Sequence, residues 1–276
     1  MINLIRAETN RLLSRRITLF FPLSLGLLMT IGIVVAILVV RSENNSIDFV
    51  ADIMGGGSTE LNPGTDVLGP MGFLIPIMAF VIGASYFGAD EKVGMIEHLL
   101  TWEPRRARFL LARMIGGAGT IFVISALLSL FLVALLFVLV VATDGDASGV
   151  DDHIGTIAGA VFRSGISGAV FFLFGLGITV VVNSSVAAIV GFLIWVFLVE
   201  VALIGPLLPR VAAWFPVSNS DSFVSGRDYE VWPGPFDDGF DLVFHHTYLV
   251  SGLLIFAWSA VFTVLGYVVF SRRDID

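Results

Sequence analysis

The chain has 276 residues, 57% of them hydrophobic and 14% charged, with a formal net charge of −8 and a mean hydropathy of +0.94. Soluble globular domains carry about 25% charged residues, so no single water-soluble core accounts for this much apolar surface and the composition specifies an integral membrane protein. Cysteine is absent, which excludes disulfides, thiolate metal sites and cysteine nucleophiles.

Residues 1–16 are amphipathic, with Ile2, Ile5, Leu12 and Leu13 set against Arg6, Glu8, Arg11, Arg15 and Arg16. Two readings fit this pattern: a helix lying on the inner leaflet, with Ile5, Arg6, Glu8 and Leu12 on its two faces, or a basic anchor ahead of a span. The apolar run at 18–40 that follows is too long for a signal h-region and lacks an A-x-A site, so it is expected to remain as a first span. Five further runs, at 68–87, 109–142, 164–182, 185–205 and 249–270, are long enough to cross about 30 Å of hydrocarbon. They form one transmembrane domain over 1–276, with no internal repeat and no linker to a second unit. Pro76 is expected to kink the second span. Glycines at 116, 117, 119, 165, 168, 175 and 177 invite close helix contact.

Charge sets the expected orientation. With a cytoplasmic N-terminus, eleven of the 15 basic residues fall inside: Arg6, Arg11, Arg15, Arg16, Lys92, Arg105, Arg106, Arg108, Arg113, Arg272 and Arg273. Arg41, Arg163, Arg210 and Arg227 fall outside. This bias predicts both termini on the cytoplasmic side of the cell membrane. The outer segments 41–67 and 143–160 are acidic and read as a solvated face or a cation-collecting vestibule. The largest outer segment, 206–248, carries Trp214, Phe215, Trp232 and Phe236, which suit an aromatic belt.

The segment 88–114 is a charged island between two spans. Val93, Ile96, Leu99 and Leu100 recur at helical spacing with Glu91, Lys92, Glu97 and His98 between them, and Pro104 then ends the pattern ahead of Arg105, Arg106 and Arg108. A short amphipathic helix held at a membrane face by two spans is suited to receiving a push from a soluble partner.

Catalytic chemistry is not legible. The only lysine, Lys92, follows Glu91, so no G-x-x-x-x-G-K-[ST] phosphate loop is present. No helix carries H-E-x-x-H. His245 and His246 beside Asp237, Asp238 and Asp241 match no metal-ligand spacing and read as a solvated loop, with an outer metal site as the sharper alternative. The spans hold almost no ionisable groups, which argues against a carrier driven by protons or sodium. Glu200, in WVFLVEVALIG, is the exception: it has a structural role, snorkelling toward the outer interface or pairing with Arg210 or Arg163, or it lines a pathway.

The arrangement resembles the membrane-spanning subunit of type-2 ABC transporters. That family places an amphipathic interface helix before six spans, and a coupling helix of the form E-x-x-G-T-x-x-x-L-L-x-x-P-x-x-R after the second. The matching positions are Glu91, Gly94, Leu99, Leu100, then Pro104 and Arg105, with Ile96 and Glu97 on the same helix. Met95 stands where threonine is usual, and Pro104 is shifted by one place. The resemblance implies an all-α permease, non-catalytic itself, that binds no cofactor directly. ATP and Mg would be bound by a partner ATPase, and a second permease copy or a related permease would complete the transporter, with export the implied direction. It also implies short re-entrant helices between the fifth and sixth spans, and no nucleic-acid partner. An ATP-independent channel or carrier and a non-transporting membrane scaffold are the alternatives.

Overall fold

The computed structural model describes residues 1–43, 69–92, 106–142, 150–204, 207–231 and 244–272. In chain order the elements are α1 (Ile2–Leu13), α2 (Arg16–Glu43), α3 (Gly69–Lys92), α4 (Arg106–Ala142), α5 (Val150–Val182) and α6 (Ser185–Ile194). A π-helical segment (Trp195–Ile204) prolongs α6, and α7 (Pro209–Ala212), α8 (Pro216–Ser225), β1 (Tyr229–Val231), β2 (Phe244–His246) and α9 (Tyr248–Arg272) complete the chain. Six of these helical stretches are long and apolar enough to cross a membrane. The chain is therefore a predominantly helical, multi-pass membrane protein.

Local sequence explains the joints. Only Ser14 and Arg15 separate α1 from α2, and the Ser14 hydroxyl donates to the Arg11 carbonyl at 2.9 Å, satisfying an acceptor that the helix end would otherwise leave open. Between α5 and α6 the chain reverses at Asn183, which takes φ 62°, a left-handed conformation that asparagine tolerates better than most residues. Ser184 then caps α6 by accepting from the Ala187 N–H at 3.3 Å.

The core is built on α3 and α5, whose backbones touch. A Cβ on Gly83 would meet the Phe172 carbonyl, and a Cβ on Gly175 would meet the Phe80 carbonyl. This reciprocal pair lets two helices approach at a distance that any larger side chain forbids. Beside the crossing, Phe80 stacks on Phe192 of α6 with centroids 3.7 Å apart, and Phe174 meets both rings edge-on. Helix α2, by contrast, exposes Phe20, Leu23, Leu27 and Leu28, the pattern of a helix that faces lipid.

Three expectations need correction. Helix α5 begins at Val150, not at 164, so Asp151 and Asp152 stand on helix rather than in an acidic loop. The fifth span is not uniformly α-helical, because its second half is a π-helix. The all-α expectation also misses a small antiparallel ladder in which Tyr229 opposes His246 and Val231 opposes Phe244. Three-residue strands leave too short an alternation to register in the sequence.

The two ends of the bundle are distinct. At one end, Arg15 bonds Asp90, Gly88 abuts Ser185, and Phe87 meets Phe270 edge-on at 5.8 Å. The α1–α2 joint, the α3 terminus, the α5–α6 turn and the α9 terminus therefore gather on one face, and these are the segments that charge assigns to one side. At the other end, Gly72 of α3 abuts Asp221 of α8, and Arg163 of α5 lies over Tyr248.

Candidate functional site

Five charged residues and a tyrosine converge where α3 ends. Asp90, in the last turns of α3, is 3% exposed and accepts from Arg15 in the α1–α2 joint and from Arg113 of α4. Arg11 of α1 approaches the same carboxylate at 3.3 Å. One turn earlier, Tyr86 donates its hydroxyl to Glu8 Oε2 of α1 at 2.5 Å and lies 3.1 Å from the Glu8 carbonyl oxygen. Arg113, fully buried, also donates to the Tyr86 carbonyl and sits 4.1 Å above the Tyr86 ring. Arg15 covers the same ring at 4.9 Å.

Spacing explains the convergence. Tyr86 and Asp90 are four apart on α3, and Glu8, Arg11 and Arg15 recur at three and four along α1 and its joint, so each set shares one face. Helix α1 lies close enough to α4 that a Cβ on Gly116 would stand 3.1 Å from the Ile5 carbonyl. Three arginines meet two carboxylates, and two of them, Arg15 and Arg113, also lie over the Tyr86 ring, whose face attracts cations. Burial lowers the Arg15 pKa, an effect opposed by the neighbouring Asp90 carboxylate. Asp90 and Glu8 each meet a donor within the cluster, while the buried Arg113 is held through Nη2 alone, its Nε and Nη1 having no hydrogen-bond partner among the described residues.

The mechanical consequence is specific. Asp90 lies two residues before the end of α3 and Arg113 lies in the second turn of α4, so the cluster clamps both stems of the segment 93–105. Through Glu8, Arg11 and Arg15 it fastens α1 to the same point. The cluster therefore ties α1, α3 and α4 together at one point.

The expected interface-helix residues separate in a way the sequence did not reveal. Leu12 is fully buried and Ile5 half-buried, as an apolar face requires, whereas Arg6 is exposed. Glu8 is buried almost as deeply as Leu12, and Ile2 is 80% exposed. The helix thus turns an acidic residue toward the protein and leaves apolar side chains at its opposite edge. Of the expected coupling residues, Glu91 lies on the last turn of α3. Gly94, Ile96, Glu97, Leu99, Leu100, Pro104 and Arg105 lie outside the described residues. Tyr86, Asp90 and Arg113 carry the cluster and lie outside the expected site residues, though the Tyr86–Asp90 spacing is a readable signal.

Glu200 lies at the opposite end, in the π-helical segment, and is 1% exposed. The buried series Ala188, Phe192, Val196 and Glu200 advances by fours. In a regular α-helix each such step drifts about 40°, and three would carry Glu200 well off the inward face. The wider π turn winds the series back. Glu200 Oε1 accepts from the Ser218 N–H, in the first turn of α8. This corrects the expected partners: among the described residues neither Arg210 nor Arg163 pairs with Glu200. Arg163 donates instead to the Val224 and Ser225 carbonyls, each at 3.2 Å, at the last turn of α8.

A polar network adjoins this helix. The Asn219 amide nitrogen donates to the Ala213 and Phe215 carbonyls, both at 2.8 Å, which turns its carbonyl oxygen toward His246 Nε2 at 2.8 Å. Ser251, 2.9 Å from the same nitrogen, donates onward to Ser222, so Nε2 carries the proton and donates to both partners. His246 stacks on Tyr229, and burial lowers its pKa. This integration is unlike the solvated loop expected around His245 and His246. Asp237, Asp238 and Asp241 lie outside the described residues.

A family model described as a protein of unknown function (DUF2705) matches residues 29–275, from within α2 to the C-terminus. The match takes in Tyr86, Asp90, Arg113, Arg163 and Glu200 and begins after α1. No curated protein matches the chain.

Proposed function

The chain belongs to the DUF2705 family, and we propose that it is the membrane-spanning subunit of an ATP-driven transporter of the type-2 ABC class. In this reading a separate ATPase subunit, with its own ATP and Mg, engages the end of α3 and the segment that follows it through Glu91, Gly94, Ile96, Glu97, Leu99 and Leu100. Pro104 ends the contact, and Arg105, Arg106 and Arg108 hold the loop to anionic headgroups. The working unit contains a second permease copy or a related permease, and its spans form the path for an exported substrate. The chain binds no nucleotide and performs no catalysis. Both termini face the cytoplasm, in keeping with the basic residues gathered at that end.

The observation that carries this reading is the clamp on Asp90. A push delivered to 93–105 does useful work only if both stems of that segment are stiffly joined to the spans. Arg15 and Arg113 on Asp90 supply that joint. Without it, the displacement would not reach the spans. The amphipathic pattern of 93–100 offers an apolar ridge for a cleft on the partner, while its charges set the register.

The test is reconstitution of the chain with its ATPase, comparing wild type with Glu91→Ala, Glu97→Lys and Leu100→Ala together. The reading predicts weakened assembly or loss of stimulated ATP hydrolysis. A triple variant that assembles and hydrolyses as wild type would remove the coupling role from this segment.

A further inference from the structure

Helix α8 is held at both ends by charges borrowed from two different spans. Glu200, from the span formed by α6 and its π extension, bonds the Ser218 N–H at the N-terminus, where the helix presents partial positive charge. Arg163, from α5, bonds the Val224 and Ser225 carbonyls at the C-terminus, where the helix presents partial negative charge. Each side chain, Glu200 buried and Arg163 half-buried, is thus matched to the sign of the helix end it meets.

The rest of the seat is fitted to this arrangement. The helix ends at Gly226, with φ 78°. A Cβ there would run into the Arg163 guanidinium, so glycine serves both the left-handed turn and the space the arginine occupies. On the opposite flank, Gly72 of α3 lets the backbone at Asp221 come into contact. Val217, Asn219, Ser220, Ser222, Val224 and Ser225 are all buried, so α8 is wedged between α3, α5 and α9. The wedge is mostly hydroxyls and amides, including the Ser167–Ser220 pair at 2.9 Å. A polar wedge gains little from apolar burial, so its position depends on directed contacts. Glu200 Oε2 has no hydrogen-bond partner among the described residues, which leaves the field of the helix end as its main compensation.

We propose that α8 is a movable closure of the bundle end remote from 93–105, seated by Glu200 and Arg163 acting as a two-ended electrostatic latch. A relative shift of α5 against the α6 span changes the distance between the two latch points, and a ten-residue helix about 15 Å long cannot stretch to follow. One contact must then open, and α8 leaves its seat. The latch couples the relation of two spans to closure of that end, and it stands whether or not an ATPase drives the shift.

The chain has no cysteine, so single cysteines can report on α8 directly. V217C and V224C, at the two ends of the helix, are to be labelled with a maleimide in the full-length protein, with S14C as a control at the far end. Glu200→Gln preserves shape and removes charge; it should raise V217C labelling roughly five- to thirtyfold, the range for a partly buried charge at a helix end. Arg163→Gln should do the same at V224C, and S14C should not change in either. Exchanging the charges, with Glu200→Arg and Arg163→Glu together, should be worse than either single change, because both helix ends then meet the wrong sign. Rescue by the exchange would instead reveal direct pairing of the two residues and overturn the proposal. Unchanged α8 labelling, or an equal rise at S14C, would also overturn it. If the glutamine variants do not fold, Glu200→Asp and Arg163→Lys carry the same expectation with a smaller rise, and no rise defeats the proposal.

Discussion

Asp90 and Arg113, 23 positions apart on α3 and α4, form a buried ion pair that closes the base of the segment 93–105. Removing the carboxylate leaves a fully buried guanidinium without its charge partner. Asp90→Ala is expected to cost about 3–5 kcal/mol, read as a lowered midpoint of thermal unfolding in detergent. Arg15→Gln, which vacates a partly exposed position, should cost clearly less. Equal effects would mean that the cluster is solvated and the clamp is weak.

Tyr86→Phe separates two roles of one side chain. The ring remains as a platform for Arg113, while Glu8 loses its hydroxyl donor. The expected cost is about 1–3 kcal/mol, the penalty for under-satisfying a buried acceptor, and it should appear mainly as loosening of α1. Limited proteolysis between Arg6 and Arg16 measures this: cleavage should accelerate while the remaining helices stay protected. Undiminished protection of α1 would show that Leu12 and Ile5 alone hold it.

The α3–α5 crossing makes a contrast among glycines. Gly83→Ala and Gly175→Ala place a methyl against backbone carbonyls that cannot yield, and each should destabilise by at least about 1–3 kcal/mol. Gly119→Ala meets nothing within 4 Å and should be neutral or stabilising by up to about 1 kcal/mol. Thermal unfolding of the three variants decides it; similar midpoints would contradict the crossing.

His246 gives the α8 end a pH dependence. Its folded pKa is lowered from 6.5, first by burial, with Asp228 opposing and His245 reinforcing the shift. The folded state therefore favours the neutral ring, and its contribution is fully present above about pH 6.5. As pH falls from there toward the lower folded value, the unfolded state binds the proton more readily and stability declines. His246→Gln should flatten this decline in a pH series of thermal unfolding. An unchanged slope would place the titration elsewhere.

Span number, the gathering of basic segments at one end and the amphipathic N-terminus were legible because each rests on local composition or period. The cluster was not. Glu8 reads as a solvent-facing charge until α3 supplies Tyr86, and Asp90 looks like one more charge in a polar loop. Such partners lie some 75 positions apart, and no local pattern encodes that distance. Glu200 was visible as an anomaly, but its partner is a backbone N–H, which carries no letter in the sequence. Its inward aim depends on π-helical winding that the apolar run conceals.

The most direct test of the proposed function is site-specific cross-linking from the segment 93–105. With E97C as the only cysteine, a thiol-linked photoprobe in native membranes should capture a protein that an azido-ATP analogue also labels. D228C, at the opposite end, should not. Capture from E97C alone is the result predicted for a coupling helix; no ATP-labelled product from E97C, or an equal yield from D228C, would contradict it.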